Sequence, residues 1–341
     1  MTIAEIVCIW VFKVYIVYLL LEIISVCANI VVVSVIADKY YPFIKQRYEL
    51  PKKQQKEVFS NTMSMFIYKI ARSMITGTDN ILISIICGTI YVGLYSNYLS
   101  ITDGVTAFFV VAFQGLISSV GNLVVTASPQ KRYQTFETMQ MVAFWICGIL
   151  CVCLLLLTED FITLWIGKEY LLDKITLVAI VFNTFFSICM HPVWAFREGT
   201  GMYNQIRYIM LFTATLNIIL SIILGKMIGI AGILFATSLS KLLTNFWYEP
   251  NLLFKNFFSQ KPINYYLDYA ANMVLMFVCF VVSYYATKWI NVDNYALWIC
   301  KALIVFLVIN AVYFARYFRT VQFFDMISHL KNLLRIKKGG G

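Results

Sequence analysis

Residues 68–84 read YKIARSMITGTDNILIS and place Lys69, Arg72 and Asp79 inside a stretch otherwise apolar enough to cross a membrane. At 100° per residue, Asn61, Lys69, Arg72, Thr76, Asp79 and Asn80 share one helical face about 100° wide. If the helix enters the bilayer at residue 60, Lys69 lies ~14 Å deep, near the middle of an apolar layer about 30 Å thick. An unpaired charge there costs about 2.5–3.5 kcal/mol, and snorkelling from that depth is poor. Two arrangements relieve the cost. One is an intramembrane ion pair between Arg72 and Asp79, which leaves Lys69 unexplained. The other is a cationic cavity that binds an anion, with Asp79 orienting or offsetting the cations; Arg supplies a fork of donors and Lys a compact charge.

Other polar spacings point to a hydrated lumen. Gln114, Ser118 and Asn122 recur every four residues, as do Thr213, Asn217 and Ser221, and Thr237, Lys241 and Asn245. Each stripe alone is explained by interhelical hydrogen bonding; several together favour a cavity between helix bundles. Lys241 could also snorkel inward. Glu22 and Asp79 are candidates for ion coupling, and Glu22 could equally pair with a cation. Arg197 in AFREGTGMYNQ is expected to snorkel at an inner helix end, or to meet a phosphate there. His191, before Pro192, reads as structural. Tyr95, Asn97 and their neighbours Tyr91 and Tyr98 can face sugars, although interfacial aromatics are the commoner use of such residues. The sugar-facing set is therefore Tyr95, Asn97, Gln114, Asn122 and Asn217.

Composition sets the frame that positions these residues. The chain has 341 residues, 61% hydrophobic and 13% charged, against about 25% charged in soluble domains. Mean hydropathy is +0.78. Long, continuous apolar runs exclude barrel strands. The expectation is an all-α, polytopic transmembrane bundle of about nine to ten membrane helices. Nine segments are visible, at 5–37, 60–88, 91–126, 139–157, 172–196, 207–225, 228–249, 265–288 and 294–316. The first reads as one tilted helix, as a span plus a surface piece, or as a tight hairpin.

Charge sets the orientation. Eighteen Lys and Arg fall on one side: Lys39, Lys45, Arg47, Lys52, Lys53 and Lys56 in the 38–57 loop; Lys131 and Arg132; Arg197 and Arg207; Lys255 and Lys261; and Arg316, Arg319, Lys331, Arg335, Lys337 and Lys338. Four fall on the other: Lys168, Lys174, Lys226 and Lys288. The richer side is expected to be cytoplasmic, so the net charge of +10 requires no nucleic acid. Trp165 and Trp289 fall at outer boundaries. Residues 319–338 place Val321, Phe324, Ile327, Leu330, Leu334 and Lys338 at helical spacing, an amphipathic helix for anionic lipid on the inner surface. The start, MTIAEIV, lacks the basic region of a cleavable signal peptide. The nine cysteines lie almost wholly in apolar stretches without C-x-x-C or Cys/His clustering, as small buried hydrophobes. Neither a metal nor another cofactor is expected.

The runs DKYYPF, KIARSMITGTDNILIS, VGLYSNYLSI, FREGTGMYN and GIAGILFATSLS resemble lipid-linked oligosaccharide flippases of polysaccharide biosynthesis (Wzx-type). These belong to the multidrug/oligosaccharidyl-lipid/polysaccharide exporter superfamily. The resemblance implies two six-helix lobes plus two C-terminal helices around a cationic cavity. It implies flipping of undecaprenyl-diphosphate-linked oligosaccharide, O-antigen or capsule precursor, across the inner (cytoplasmic) membrane, coupled to an ion gradient. Polysaccharide polymerase and glycosyltransferases are the implied further partners. Lys69 and Arg72 match family cavity cations and Asp79 the T-D-N aspartate; Asn80, Arg197 and Lys241 complete the expected site. DKYYPF ends the N-terminal lobe in the family but begins here at residue 38, so about four or five helices of the pattern are absent. The expected division is 1–38, the end of a shortened N-terminal lobe; 39–57, a basic loop; 58–257, a six-helix lobe; 258–318, two additional helices; and 319–341, the tail. A MATE-like drug exporter would need a less cationic lumen and an acidic cation site. A membrane glycosyltransferase or polymerase would need a large outer loop, a DxD-like motif or a histidine site, and the only histidines are His191 and His329; no enzyme is expected. A non-transporting truncated subunit is the remaining alternative.

Overall fold

The computed structural model describes residues 15–41, 43 and 50–336. Parts of three expectations lie outside the described residues: the first ten positions of the 5–37 segment, Lys45 and Arg47 of the basic loop, and Lys337 and Lys338 of the tail. The described residues are helical, without a strand: α1 Tyr15–Tyr40, α2 Lys52–Ile86, α3 Thr89–Thr126, α4 Pro129–Trp165, α5 Lys174–Thr200, α6 Tyr203–Leu243, α7 Asn245–Leu253 continued by a π-helical turn Phe254–Phe258, α8 Ile263–Thr287, α9 Tyr295–Tyr317 and α10 Val321–Ile336. Among the described residues, seven helical stretches are long and apolar enough to cross a membrane. Their outer surfaces carry large apolar side chains such as Phe108, 91% exposed, Ile90 and Val125, a surface suited to lipid rather than water.

The chain forms two compact units, residues 1–59 and 60–341. In the first, α1 is one continuous helix through Tyr15–Tyr40, and Glu22 on it is exposed. The second unit holds the remaining features described below.

Local sequence starts and stops its helices. Ser128 caps α4 by accepting from Lys131 N, with Pro129 at the first helical position, where its missing N–H costs nothing. Asp173 caps α5, accepting from Thr176 N at 3.0 Å and Thr176 Oγ1 at 2.6 Å. Asn294 caps α9 through Leu297 N at 2.9 Å. Each cap contributes about 1 kcal/mol. α5 packs against α3, α4 and α6, and α4 also carries α8, α9 and α10. The core between them is aromatic, with Phe136, Phe144, Phe196, Phe254, Phe258 and Tyr269 buried together.

α6 is a hairpin of two arms. Ile228 and Gly229 break it, Gly229 with φ 63° and ψ −139°, a conformation that only glycine adopts without strain. The arms then run antiparallel in close contact. Thr213 Oγ1 lies 2.7 Å from Thr244 Oγ1 and donates to Asn245 Oδ1 at 2.9 Å; Asn217 Nδ2 donates to Thr237 Oγ1 at 3.0 Å. A Cβ on Gly232 would stand 2.0 Å from the Leu224 carbonyl oxygen. The obstruction is backbone and cannot rotate away, so Gly232→Val should destabilise the protein by about 3 kcal/mol, the upper end of overpacking costs. The thermal midpoint of the purified protein, followed by gel filtration, checks this; an unchanged midpoint would mean that the arms are further apart.

The last two long helices dock on α4. Tyr313 of α9 covers Gly148, where a Cβ would lie 2.4 Å from the ring, and donates to Asn272 Oδ1 of α8 at 2.7 Å. Trp298 Nε1 donates to the Leu157 carbonyl at 3.1 Å, and Lys301 pairs with Asp160 at 2.6 Å. α10 follows as a helix whose first turn packs on α4: Phe323 stacks on Trp145 with ring centres 6.2 Å apart. A soluble protein fused to residues 319–341 should sediment with phosphatidylglycerol-containing vesicles and not with neutral ones. Failure to bind the anionic vesicles would remove the lipid-facing role of this helix.

Candidate functional site

The second unit contains two adjoining cavities that share Thr76, Ser187 and Lys241. The smaller, about 110 Å³, is lined by three cations, Arg72 of α2, Arg197 of α5 and Lys241 of α6, together with Tyr68, Trp194 and Asn245. The larger, about 350 Å³, is lined by Asp79 and Asn80 of α2, Tyr95, Thr102 and Asp103 of α3, Asn183 and His191 of α5, and Thr237 and Lys241 of α6. The groove is thus polarised: cationic at one end, and carboxylate, amide and phenol at the other. A polar groove of this kind within apolar helices is costly unless it meets water or a ligand.

α2 places its charges through a buried stripe of Ser64, Tyr68, Ala71, Ile75, Asp79 and Ile83, at helical spacing. Tyr68, Ala71 and Ile75 pack on Ile206, Met210 and Ala214 of α6. Ser64 hydrogen-bonds Asn204, and Arg207 Nη1 donates to Ser64 Oγ at 2.8 Å. With that face held against α6, Arg72 and Thr76 are turned into the groove. Lys69 is placed on the exposed flank of α2 and lines neither cavity.

Asp79 is 8% exposed and accepts hydrogen bonds from Thr237 Oγ1 at 3.1 Å to each carboxylate oxygen. Thr237 in turn accepts from Asn217, which is fully buried. Three helical segments are therefore joined by one polar chain, α2 to both arms of α6. The expected alternative was an ion pair between Arg72 and Asp79, two turns apart on α2, but Asp79 is held by Thr237 instead. Among the described residues the ion-pair partner of Arg72 is Glu198, at 3.7 Å.

Arg197 corrects the expectation of a snorkelling side chain. It is 2% exposed. Its Nη1 donates to Glu249 Oε2 of α7 at 2.9 Å and its Nη2 to Glu198 Oε1 at 3.1 Å and to the Tyr68 hydroxyl. The guanidinium also lies 4.7 Å from the centre of the Tyr68 ring. Two acids and an aromatic face are near enough to hold the charge inside, so it has no reason to reach for an interface. Its charge is committed to protein partners, which leaves Arg72, 55% exposed, and Lys241 as the cations available to a ligand.

The remaining expected residues divide. Tyr95 and Asn80 line the larger cavity. Asn217 is behind it, in the Asp79–Thr237 chain. Asn97, half-buried, and Gln114 and Asn122, exposed, lie on α3 away from the lining. Glu22 belongs to the first unit. His191 is held at Nδ1, 2.7 Å from the Ser187 carbonyl, and packs against Phe109, Phe113 and Trp194, as expected of a structural residue, while also lining the larger cavity. Among the described cysteines, Cys147, Cys151, Cys189 and Cys279 are buried as small hydrophobes would be, whereas Cys87 and Cys153 are half-buried and Cys27 and Cys300 exposed.

Sequence reasoning missed Asp103, Asn183, Glu198 and Glu249. Glu198 follows Arg197 directly in FREGT, and an acid beside a cation within an apolar segment was a usable signal. Glu249 stands before Pro250, and nothing local indicates that it meets Arg197. Comparison with protein-family models, with curated proteins and with solved structures finds no match to this chain.

Proposed function

We propose that this protein moves undecaprenyl-diphosphate-linked oligosaccharide across a cytoplasmic membrane for surface polysaccharide synthesis. The observation that supports the reading is the polarised groove. Its cationic end, with Arg72 and Lys241, suits a diphosphate, which gains from a fork of donors and a second point charge. The larger end, with Asp79, Asp103, Asn183 and Tyr95, offers acceptors and an aromatic side chain to sugar hydroxyls. Asp79, tied to both arms of the α6 hairpin, is the residue through which an ion could bias two arrangements of the helices. In this reading α2 and both arms of α6 also cross the membrane, which makes nine spans with α1. The ends bearing Arg197, Arg207 and the 38–57 loop are cytoplasmic.

The substrate claim is tested with the purified chain in lipid nanodiscs. A farnesyl-diphosphate-linked disaccharide should bind measurably, and the same disaccharide on a neutral lipid should not. Equal binding of the two, or of neither, overturns the reading. The orientation is tested separately. Lys53→Cys, in a background stripped of native cysteines, should resist an impermeant maleimide added outside intact cells, and labelling there reverses the topology.

A specific feature favours a second reading. Asp79 and Asp103 line the larger cavity with Lys241 as the only Lys or Arg, which would suit a lipophilic organic cation of the kind drug exporters carry. Tetraphenylphosphonium binding that diphosphate does not displace would favour this alternative.

A further inference from the structure

Glu198 stands between the buried ion pair and the open groove. Arg197 already has a fully buried partner in Glu249, at 2.9 Å with side-chain exposures of 3% and 1%, so Glu198 is not needed to neutralise it. Glu198 is 24% exposed and reaches two cations: Arg197 at 3.1 Å and, on a different helix, Arg72 at 3.7 Å. The first contact is a hydrogen bond. The second is too long to be one, so the donor fork of Arg72 is attracted to Glu198 without being used by it. The four charges Arg72, Arg197, Glu198 and Glu249 sum to zero, which leaves Lys241 as the uncompensated cation of the smaller cavity while Glu198 holds Arg72.

We propose that Glu198 is the resting counter-ion of Arg72 and an internal competitor for the anion: diphosphate binds by taking Arg72 from Glu198 and leaves when Glu198 takes it back. The inference rests on the diphosphate reading of the groove. Because Arg72 is on α2 and Glu198 on α5, the exchange also removes a tie between those helices when the ligand is bound and restores it on release. Glu198 is a specificity and release residue here, acting through Arg72 rather than on the ligand.

The test is a double-mutant cycle on the full chain in nanodiscs, with farnesyl diphosphate as the titrant and calorimetry as the readout. Glu198→Gln keeps a hydrogen-bond acceptor for Arg197 and removes the competing charge. It should tighten binding up to about 5-fold, the upper value of a partly exposed ion pair. In an Arg72→Gln background the same change should have almost no effect. Glu198→Asp, which keeps the charge but withdraws it from Arg72, should fall between wild type and Glu198→Gln, and its thermal midpoint reports whether the fold is kept. Unchanged or weaker binding by folded Glu198→Gln overturns the proposal. So does equal tightening with and without Arg72, which would make Glu198 a general repellent and not an exchange partner. Wild type and all variants failing to bind the diphosphate removes the underlying substrate reading and this inference with it, whereas binding without dependence on Glu198 removes the inference alone.

Discussion

Arg197→Ala should leave almost no folded protein in the membrane. The substitution strips Glu249, 1% exposed, of the guanidinium that neutralises it at 2.9 Å, and takes a donor from the Tyr68 hydroxyl. Breaking a buried pair by removing one partner costs about 3–5 kcal/mol, because an uncompensated charge remains inside. That is a large part of the whole stability of an ordinary domain, about 5–15 kcal/mol. Arg197→Met with Glu249→Leu removes both charges and should recover much of the folded yield, because apolar replacements of a buried pair are often neutral. Fluorescence-detected gel filtration of tagged protein checks both. A well-folded Arg197→Ala protein would mean that the residue reaches water, as the sequence alone suggested.

Arg72→Gln combined with Lys241→Gln should abolish diphosphate binding while the protein remains folded. Arg72 is half exposed, and its contact with Glu198 at 3.7 Å is of the partly solvated kind that contributes about 0–1 kcal/mol. Removing it therefore costs little stability. The loss to the ligand is greater. Charge-assisted hydrogen bonds contribute about 1.5–3 kcal/mol each, so losing two should weaken binding at least ~100-fold. Arg72→Lys should retain part of the affinity, since it keeps the charge and loses the fork. Lys69→Gln should have a smaller effect than Arg72→Gln, because Lys69 lies outside the lining. Calorimetry with farnesyl diphosphate on the same preparations separates these outcomes.

Helix types and approximate ends were legible because apolar length and caps are local properties. Ser128, Asp173 and Asn294, which cap three helix starts, and Gly229, at the turn between the apolar segments 207–225 and 228–249, are local signals too but were not among the expectations. The chemistry of α2 was only partly legible. A common face was visible for Lys69, Arg72, Thr76, Asp79 and Asn80, but periodicity cannot say which edge of a face about 100° wide meets a neighbour. Tyr68, Ala71 and Ile75 decide it by packing on α6, which turns Arg72 inward and Lys69 away. The partners of the charges were not legible. Arg197 is 52 positions from Glu249, and Asp79 is 158 positions from Thr237, so only the packing of α5, α6 and α7 brings them together. The stripe Gln114–Ser118–Asn122 was legible only as a regular polar spacing. Regular polar spacing suggested a lumen, and the structure places all three on an exposed face of α3.

The central claim concerns movement as well as binding, and one assay addresses it directly. The purified chain, reconstituted into proteoliposomes, is given a fluorescent oligosaccharide linked through diphosphate to a polyprenyl lipid, and a membrane-impermeant quencher reports which leaflet holds it. The account predicts that the labelled lipid crosses faster than in protein-free liposomes, that an imposed ion gradient drives the crossing, and that Arg72→Gln with Lys241→Gln returns the rate to background. A wild-type rate equal to that of protein-free liposomes, or crossing that ignores the loss of both cations, would contradict it.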